Sequence, residues 1–188
     1  MLPSLFPAST LIFSGGLPLL ARNELIFRWS VYAAAALLCF VAQAAVLQRV
    51  SFWGVIPFLY PVIAAVPATF EDPASSTAYA LAVGVVCDLL LPGPLPCFYT
   101  IVFPLVGLCA ALLAQSVLPA GFACSLVSTA IAFLLTDLFA CVLLWFGGKG
   151  AWRAGMGVML REFLVTAPLT RPMTMLFRAV HRRTHMDD

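Results

Sequence analysis

Charged residues are scarce in this chain, because Asp, Glu, Lys and Arg make up only 10% of its 188 residues. Soluble domains carry about 25% charged residues, since their surfaces must face water. Apolar residues account for 63% of the sequence and come in long blocks. Between residues 29 and 146 the only charged side chains are Arg49, Glu71, Asp72, Asp88 and Asp137. This scarcity argues against a soluble domain and predicts an integral membrane protein.

The apolar blocks also lack the alternation of apolar and polar residues that is typical of strands in a membrane barrel. Residues 31–46 and 101–113 present apolar side chains on every helical face. A helix needs about 20 apolar residues to cross about 30 Å of hydrocarbon. The sequence therefore predicts an all-α, polytopic integral membrane protein with about six transmembrane helices.

The hydrophobic blocks divide the chain into an N-terminal extension, a transmembrane domain and a basic tail. We place these at residues 1–28, 29–180 and 181–188. The extension is expected at the membrane surface or poorly ordered, with a seventh span as the alternative. Prolines in the second and sixth blocks predict kinks or breaks there. The six predicted spans are residues 29–48, 54–70, 77–91, 97–117, 122–146 and 152–180.

The basic residues favour one orientation of the chain in its membrane. Six spans place both termini on the same side. Five arginines would lie on that side, and three basic residues on the other, which favours cytoplasmic termini. The basic tail is expected to meet anionic lipid, and no nucleic-acid partner is predicted. The two sets are Arg22, Arg28, Arg178, Arg182 and Arg183, against Arg49, Lys149 and Arg153.

Recognisable catalytic, cofactor and metal motifs are missing. None of the six cysteines forms a C-x-x-C pair, and nearly all lie in apolar runs, where thiols act as small hydrophobic groups. His181 and His185 fall in the basic tail, where we expect them to be solvated. There is no H-E-x-x-H, G-x-S-x-G or phosphate-binding loop motif. The sequence thus predicts a non-enzymatic protein without a cofactor or metal.

Two acidic residues fall inside predicted spans. Asp88 lies near the end of the third span and Asp137 in the middle of the fifth. A carboxylate at the centre of a membrane helix costs about 2.5–3.5 kcal/mol, so each needs a partner, a proton or a watery cavity. We favour an interhelical packing role, or an interfacial site for Asp88, over an ion path or ligand site. The expected partners are Arg161, Arg171, Gln43 and Gln115.

Small residues narrow some of the predicted helices. Gly84 and Gly107 do this locally, and seven alanines do it along the first span. Such faces allow helix backbones to approach each other in lipid. They indicate either packing within this bundle, which we favour, or docking of another membrane protein. The alanines are Ala33, Ala34, Ala35, Ala36, Ala42, Ala44 and Ala45.

The order of these segments resembles a known family over about residues 35–183. A first span ends at Gln48, a short link follows, and Pro57 opens the second span. The third span contains Gly84-x-x-x-Asp88 and leads through a proline- and leucine-containing turn into the fourth. The chain thereby resembles the bacterial rod-shape-determining family MreD. The Gly84-to-Asp88 segment and its turn are the most specific match.

Three features depart from the family pattern. Phe58 stands where an acidic residue is common, Leu95-Pro96 replaces a Leu-Gly pair, and the N-terminal extension is additional. The resemblance implies a non-catalytic membrane component of the cell-elongation machinery. It also implies MreC as a partner and, through MreC, MreB and the transglycosylase and transpeptidase pair of wall synthesis. The candidate packing or partner-contact residues are Gly84, Asp88, Asp137, Gln43 and Pro57.

A different class of function is the main alternative. Substrate-binding membrane subunits of energy-coupling-factor-type vitamin transporters also have about six spans and an alanine-rich first helix. In that case Asp88 and Asp137 would face a ligand pocket. A vitamin site needs several convergent hydrogen-bonding groups. The predicted fourth and fifth spans offer few such groups, so the sequence favours the scaffold role.

Overall fold

The computed structural model describes residues 17–93, 95–148 and 152–184. It is 82% helical, and no strand occurs in those ranges, so the predicted all-α membrane fold is confirmed. The described helices are α1 Leu17–Ala45, α2 Tyr60–Ala68, α3 Pro73–Leu90, α4 Phe98–Ser116, α5 Phe122–Phe146, α6 Trp152–Thr166 and α7 Thr170–Thr184.

Within the described residues, four helical segments are long and apolar enough to cross a membrane. They are Leu25–Arg49, Pro73–Leu90, Phe98–Ser116 and Phe122–Phe146. The helix α5 has the predicted bounds, because no proline interrupts residues 122–146. The count of six crossings stays a prediction, since the other two predicted spans contain shorter helices.

The helix α1 begins at Leu17, well before the predicted first span. Residues 17–28 of the predicted extension are helical and continuous with the first span, and the division of the chain at residue 28 stays a prediction. The extension's apolar residues 1–16 lie outside the described residues. At its other end α1 is followed by a short 3-10 helix, Leu47–Arg49.

The second predicted span is helical only in its second half. The helix α2 has nine residues, and all of them are buried. The prediction that Pro57 opens this helix is wrong. Pro57 lies in the non-helical segment before it. Pro61 stands in the first turn of α2, where its missing N–H costs no hydrogen bond. The helix packs against α3, α4, α5 and α7, so it forms the centre of the bundle.

The sixth predicted span is divided into α6 and α7 by a 3-10 helix, Ala167–Leu169. The break coincides with Pro168, as the sequence predicted. The basic tail does not start at residue 181, because α7 continues to Thr184. One face of α7 packs on the core, and its buried residues are Thr170, Met173, Thr174, Phe177 and Val180.

The polar loop between α2 and α3 serves as a helix cap. The Asp72 carboxylate accepts hydrogen bonds from the Ser75 hydroxyl at 3.0 Å and the Ser75 amide at 3.4 Å. Both bonds lower the pKa of the Asp72 carboxyl, and the bond from the Ser75 hydroxyl has the larger effect. The capping bond explains why α3 starts at Pro73 rather than at the predicted Thr77.

Candidate functional site

The Asp88 side chain binds the start of the next helix. Its carboxylate accepts hydrogen bonds from the backbone amides of Tyr99 at 3.0 Å and Thr100 at 2.7 Å. The Thr100 hydroxyl donates a third bond at 2.6 Å. The N-cap residue of α4, Cys97, has a left-handed backbone and makes no side-chain capping bond. Asp88 therefore caps α4 from α3, and the predicted arginine and glutamine partners of Asp88 are wrong.

Gly84 lies one helical turn before Asp88 and faces the same turn of α4. A Cβ atom at Gly84 would lie 2.6 Å from the backbone oxygen of Tyr99. Gly107 is equally tight, because a Cβ there would lie 2.7 Å from the Ala80 Cβ atom. Both glycines allow α3 and α4 to approach closely. At both residues the close approach is to another helix of the same chain.

Gln43 holds the non-helical segment before α2. Its side chain is 2% exposed. The amide nitrogen donates to the backbone oxygen of Pro57 at 2.8 Å, and the amide oxygen accepts from the backbone nitrogen of Leu59 at 3.2 Å. Gln43 and Pro57, both candidates from the sequence, are thus brought together. Gln43 is not a partner of either aspartate.

A second side chain completes this arrangement. The backbone nitrogen of Phe58 donates to the Thr166 hydroxyl at 3.1 Å, and Thr166 is fully buried. Lipid cannot satisfy unpaired backbone groups, so an interrupted helix in a membrane needs such bonds from its neighbours. Gln43 on α1 and Thr166 at the end of α6 therefore stabilise the same break from two sides.

Asp137 is not brought together with the other candidates. One of its carboxylate oxygens is buried and has no hydrogen-bond partner in the part of the chain that the structure describes. The expected pairing with Arg161, Arg171, Gln43 or Gln115 does not occur.

A polar cluster that the sequence did not reveal joins α1, the loop after α2, and α7. Its centre is Glu71, whose side chain is only 5% exposed. Glu71 forms an ion pair with Arg28 and accepts a hydrogen bond from the Tyr32 hydroxyl at 2.7 Å. The Nδ1 atom of His181 lies 3.3 Å from the same Glu71 oxygen. The cluster therefore links both ends of the described chain to its middle.

The prediction that His181 is a solvated tail residue is wrong. Its ring also lies 5.8 Å from the ring of Phe70. Glu71 and His181 are 110 residues apart, so no local pattern could pair them. The available signal was general: a carboxylate next to an apolar block needs a cationic partner.

An apolar groove runs between α1 and α3. Its volume is about 380 Å³. Four alanines contribute to its walls, which lets a helix backbone or an acyl chain approach closely. Tyr79 lines the groove, and its buried hydroxyl has no hydrogen-bond partner among the described residues. The lining residues are Trp29, Ala33, Ala36, Leu37, Phe40, Ala78, Tyr79, Ala82, Val83 and Val86.

The alanines of α1 serve two surfaces. Ala35 and Ala36 are buried in the bundle, whereas Ala33, Ala34, Ala44 and Ala45 are exposed. Internal packing therefore involves only part of this alanine-rich segment, and docking of another membrane protein stays a prediction. The exposed alanines continue into the groove through Ala33.

The described residues contain no group of three or more His, Cys, Asp or Glu side chains placed to hold a metal ion. A second apolar cavity of about 500 Å³ lies at the opposite end of α1, beside Trp53 and Leu169.

No family model, curated protein or solved structure matches this chain. The resemblance to MreD thus rests on the sequence features alone.

Proposed function

We propose that this protein is a non-catalytic scaffold of the bacterial cell-elongation machinery, as its resemblance to the MreD family implies. It would reside in the cytoplasmic membrane with both termini in the cytoplasm. Its direct partner would be MreC, through which it would act with MreB and the enzymes of lateral wall synthesis.

The observation that supports this proposal best is the groove between α1 and α3. It is apolar and walled by alanines, so it suits a single transmembrane helix better than a polar substrate. MreC is a membrane-anchored protein, so its membrane-spanning segment would be the helix that binds in the groove. Ala33 on α1 and Ala82 on α3 are both small residues that line the groove.

The apolar character of the groove also bears on the vitamin-transporter alternative. A vitamin site requires several polar groups that converge on one cavity. Among the residues lining the groove, Trp29 and Tyr79 carry the only polar side-chain atoms. The two aspartates expected in a ligand pocket do not line it. The groove therefore supports the scaffold over the transporter.

Depletion in the source bacterium tests the proposal at the level of the cell. We expect depleted cells to lose rod shape and become round. If they keep their shape and instead lose uptake of one vitamin, the transporter function replaces the scaffold function.

Co-purification with MreC tests the groove itself. Ala33→Phe and Ala82→Phe would each fill the groove, and we expect the combined variant to lose most of the MreC recovered with the wild type. Ala34→Phe is the matched control, because Ala34 is exposed on the same helix but does not line the groove. Equal recovery of MreC with the groove variant and with the wild type would contradict a partner site there.

A topology experiment tests the orientation. A fluorescent protein fused after residue 188 should fluoresce, because it would fold in the cytoplasm, and alkaline phosphatase at the same place should be inactive. The opposite result would place the described end of α7 outside the cell.

A further inference from the structure

The outward face of α7 is strongly basic. Its inner face packs against the core, and the four arginines on its other side are exposed. Within the described ranges, the ion pairs involve Arg28 and His181 but none of these four residues. The outward arginines are Arg171, Arg178, Arg182 and Arg183.

Two of these arginines share a cavity with α5. Arg171 and Arg178 line a space of about 330 Å³ together with Phe122, Thr174 and Met175. Arg171 and Arg178 are seven residues apart, so they lie about two turns apart on one face of α7. The Thr174 hydroxyl already donates to the backbone oxygen of Thr170 at 2.7 Å. The guanidinium groups are therefore the strongest donors available in this cavity.

The remaining walls of the cavity are apolar. Phe122 is 48% exposed and Met175 is 60% exposed. Phe122 is the first residue of α5, whose 25 residues are long and apolar enough to span a membrane. The cavity thus lies at the end of a candidate span, where hydrocarbon meets the headgroup layer.

Arginines in this position need an anion. An arginine within hydrocarbon is costly, and an anionic partner removes much of that penalty. Guanidinium groups bind phosphate oxygens through paired hydrogen bonds. Basic sites between helices on the cytoplasmic side of membrane proteins are suited to anionic lipid headgroups.

We propose that the cavity between α5 and α7 binds one anionic phospholipid. Its phosphate contacts the guanidinium groups of Arg171 and Arg178, and its glycerol and upper acyl chain contact Phe122 and Met175. The two exposed apolar walls favour a lipid over free phosphate, which would gain nothing from them. The lipid site does not depend on the scaffold role, so either can fail alone.

Native mass spectrometry of the purified full chain in detergent provides the test. We compare phosphatidylglycerol with phosphatidylcholine for the wild type and for an Arg171→Gln/Arg178→Gln variant. Each arginine near an anionic lipid contributes about 1 kcal/mol, so the variant should bind phosphatidylglycerol at least tenfold more weakly. Phosphatidylcholine binding should be weaker than phosphatidylglycerol binding in the wild type and unchanged in the variant.

Arg182→Gln/Arg183→Gln is the matched control, because it removes the same charge from the same helix but outside the cavity. It should retain most of the phosphatidylglycerol affinity. The proposal is overturned if both double variants lose affinity equally, or if Arg171→Gln/Arg178→Gln binds as the wild type does. It is also overturned if millimolar inorganic phosphate displaces the lipid completely, since the site would then be a simple anion site.

A further variant covers a failure of the glutamine variant to fold. Arg171→Lys/Arg178→Lys keeps both charges but not the planar guanidinium groups. We expect it to fold. Its affinity for phosphatidylglycerol should lie between the wild type's affinity for phosphatidylglycerol and the wild type's affinity for phosphatidylcholine. Wild-type affinity should also fall as salt is raised, because the phosphate contact is electrostatic. An affinity unaffected by salt and by the lysine substitutions contradicts the proposal.

Discussion

The Asp88 carboxylate accepts two hydrogen bonds from Thr100, one from its backbone amide at 2.7 Å and one from its hydroxyl at 2.6 Å. These bonds connect the last turn of α3 with the first turn of α4. They satisfy amides that a helix leaves unpaired at its start. The turn between the helices contains several prolines and leaves capping to a residue outside it. Asp88 thus helps to make α3 and α4 a single packed hairpin.

Substitution of Asp88 tests this capping role. Asp88→Ala should lower stability by about 2 kcal/mol, because a helix start loses both its acceptor and a favourable charge. Asp88→Asn should cost less, since the amide oxygen still accepts a hydrogen bond. Unfolding in mixed micelles, followed by circular dichroism, measures both. Thr100→Val is the control that removes only the hydroxyl bond. Equal losses for the alanine and asparagine variants would contradict the capping account.

The close approach of α3 and α4 predicts the effect of a single added methyl group. Gly84→Ala should destabilise the protein by about 1–3 kcal/mol, because its Cβ would overlap the Tyr99 carbonyl group. Gly157→Ala is the control, since no atom lies within 4 Å of a Cβ there. It should be neutral or slightly stabilising, as alanine favours helix. The same unfolding assay compares them, and an unaffected Gly84→Ala protein would show that the helices can separate without loss.

Removal of the Gln43 amide should be strongly destabilising. Gln43→Leu leaves the Pro57 oxygen and the Leu59 nitrogen unpaired in a buried site. Each unpaired group costs about 1–3 kcal/mol, so we expect a loss of about 3 kcal/mol in the micelle assay. Gln115→Leu, at an exposed position of α4, is the control and should have little effect. A similar stability for both variants would mean that water or lipid headgroups replace the amide.

The cluster around Glu71 predicts a rescue by charge exchange. Glu71→Ala should cost about 3 kcal/mol, because Arg28 and the Tyr32 hydroxyl lose a buried partner. Arg28→Glu should also be damaging, since it places two carboxylates together. The Arg28→Glu/Glu71→Arg double variant should recover part of the loss. Protein yield in the membrane and micelle stability report both, and the absence of any recovery would argue against the ion pair.

The regular helices were predictable because their apolar blocks are long and uninterrupted. The bounds of α5 follow from residues 122–146 alone, and Gly84 was identified as a packing residue from its size and spacing. The pairing of Gln43 with Pro57 was not predicted, although both residues were candidates. Hydropathy does not distinguish an interrupted helix from a continuous one. The sequence therefore did not indicate that the non-helical segment before α2 needs hydrogen bonds from the Gln43 side chain.

The polar cluster could not be predicted for a different reason. Arg28, Glu71 and His181 belong to three separate segments, and only the packing of α1, α2 and α7 brings them together. Asp137 shows the opposite error. Its position inside a span suggests a specific partner, but one of its buried carboxylate oxygens has no hydrogen-bond partner among the described residues. The sequence shows that a buried charge needs a partner, but it does not show which residue supplies that partner.

The central position of α2 has a consequence for the order of events during synthesis. This helix leaves the ribosome second, yet the four helices that it packs against most, α3, α4, α5 and α7, are all made later. Its nine buried residues therefore contact the insertion machinery or lipid until the neighbouring helices have been synthesised. Release of the chain before α7 emerges would leave one flank of α2 bare, which makes the final helix the one that closes the molecule.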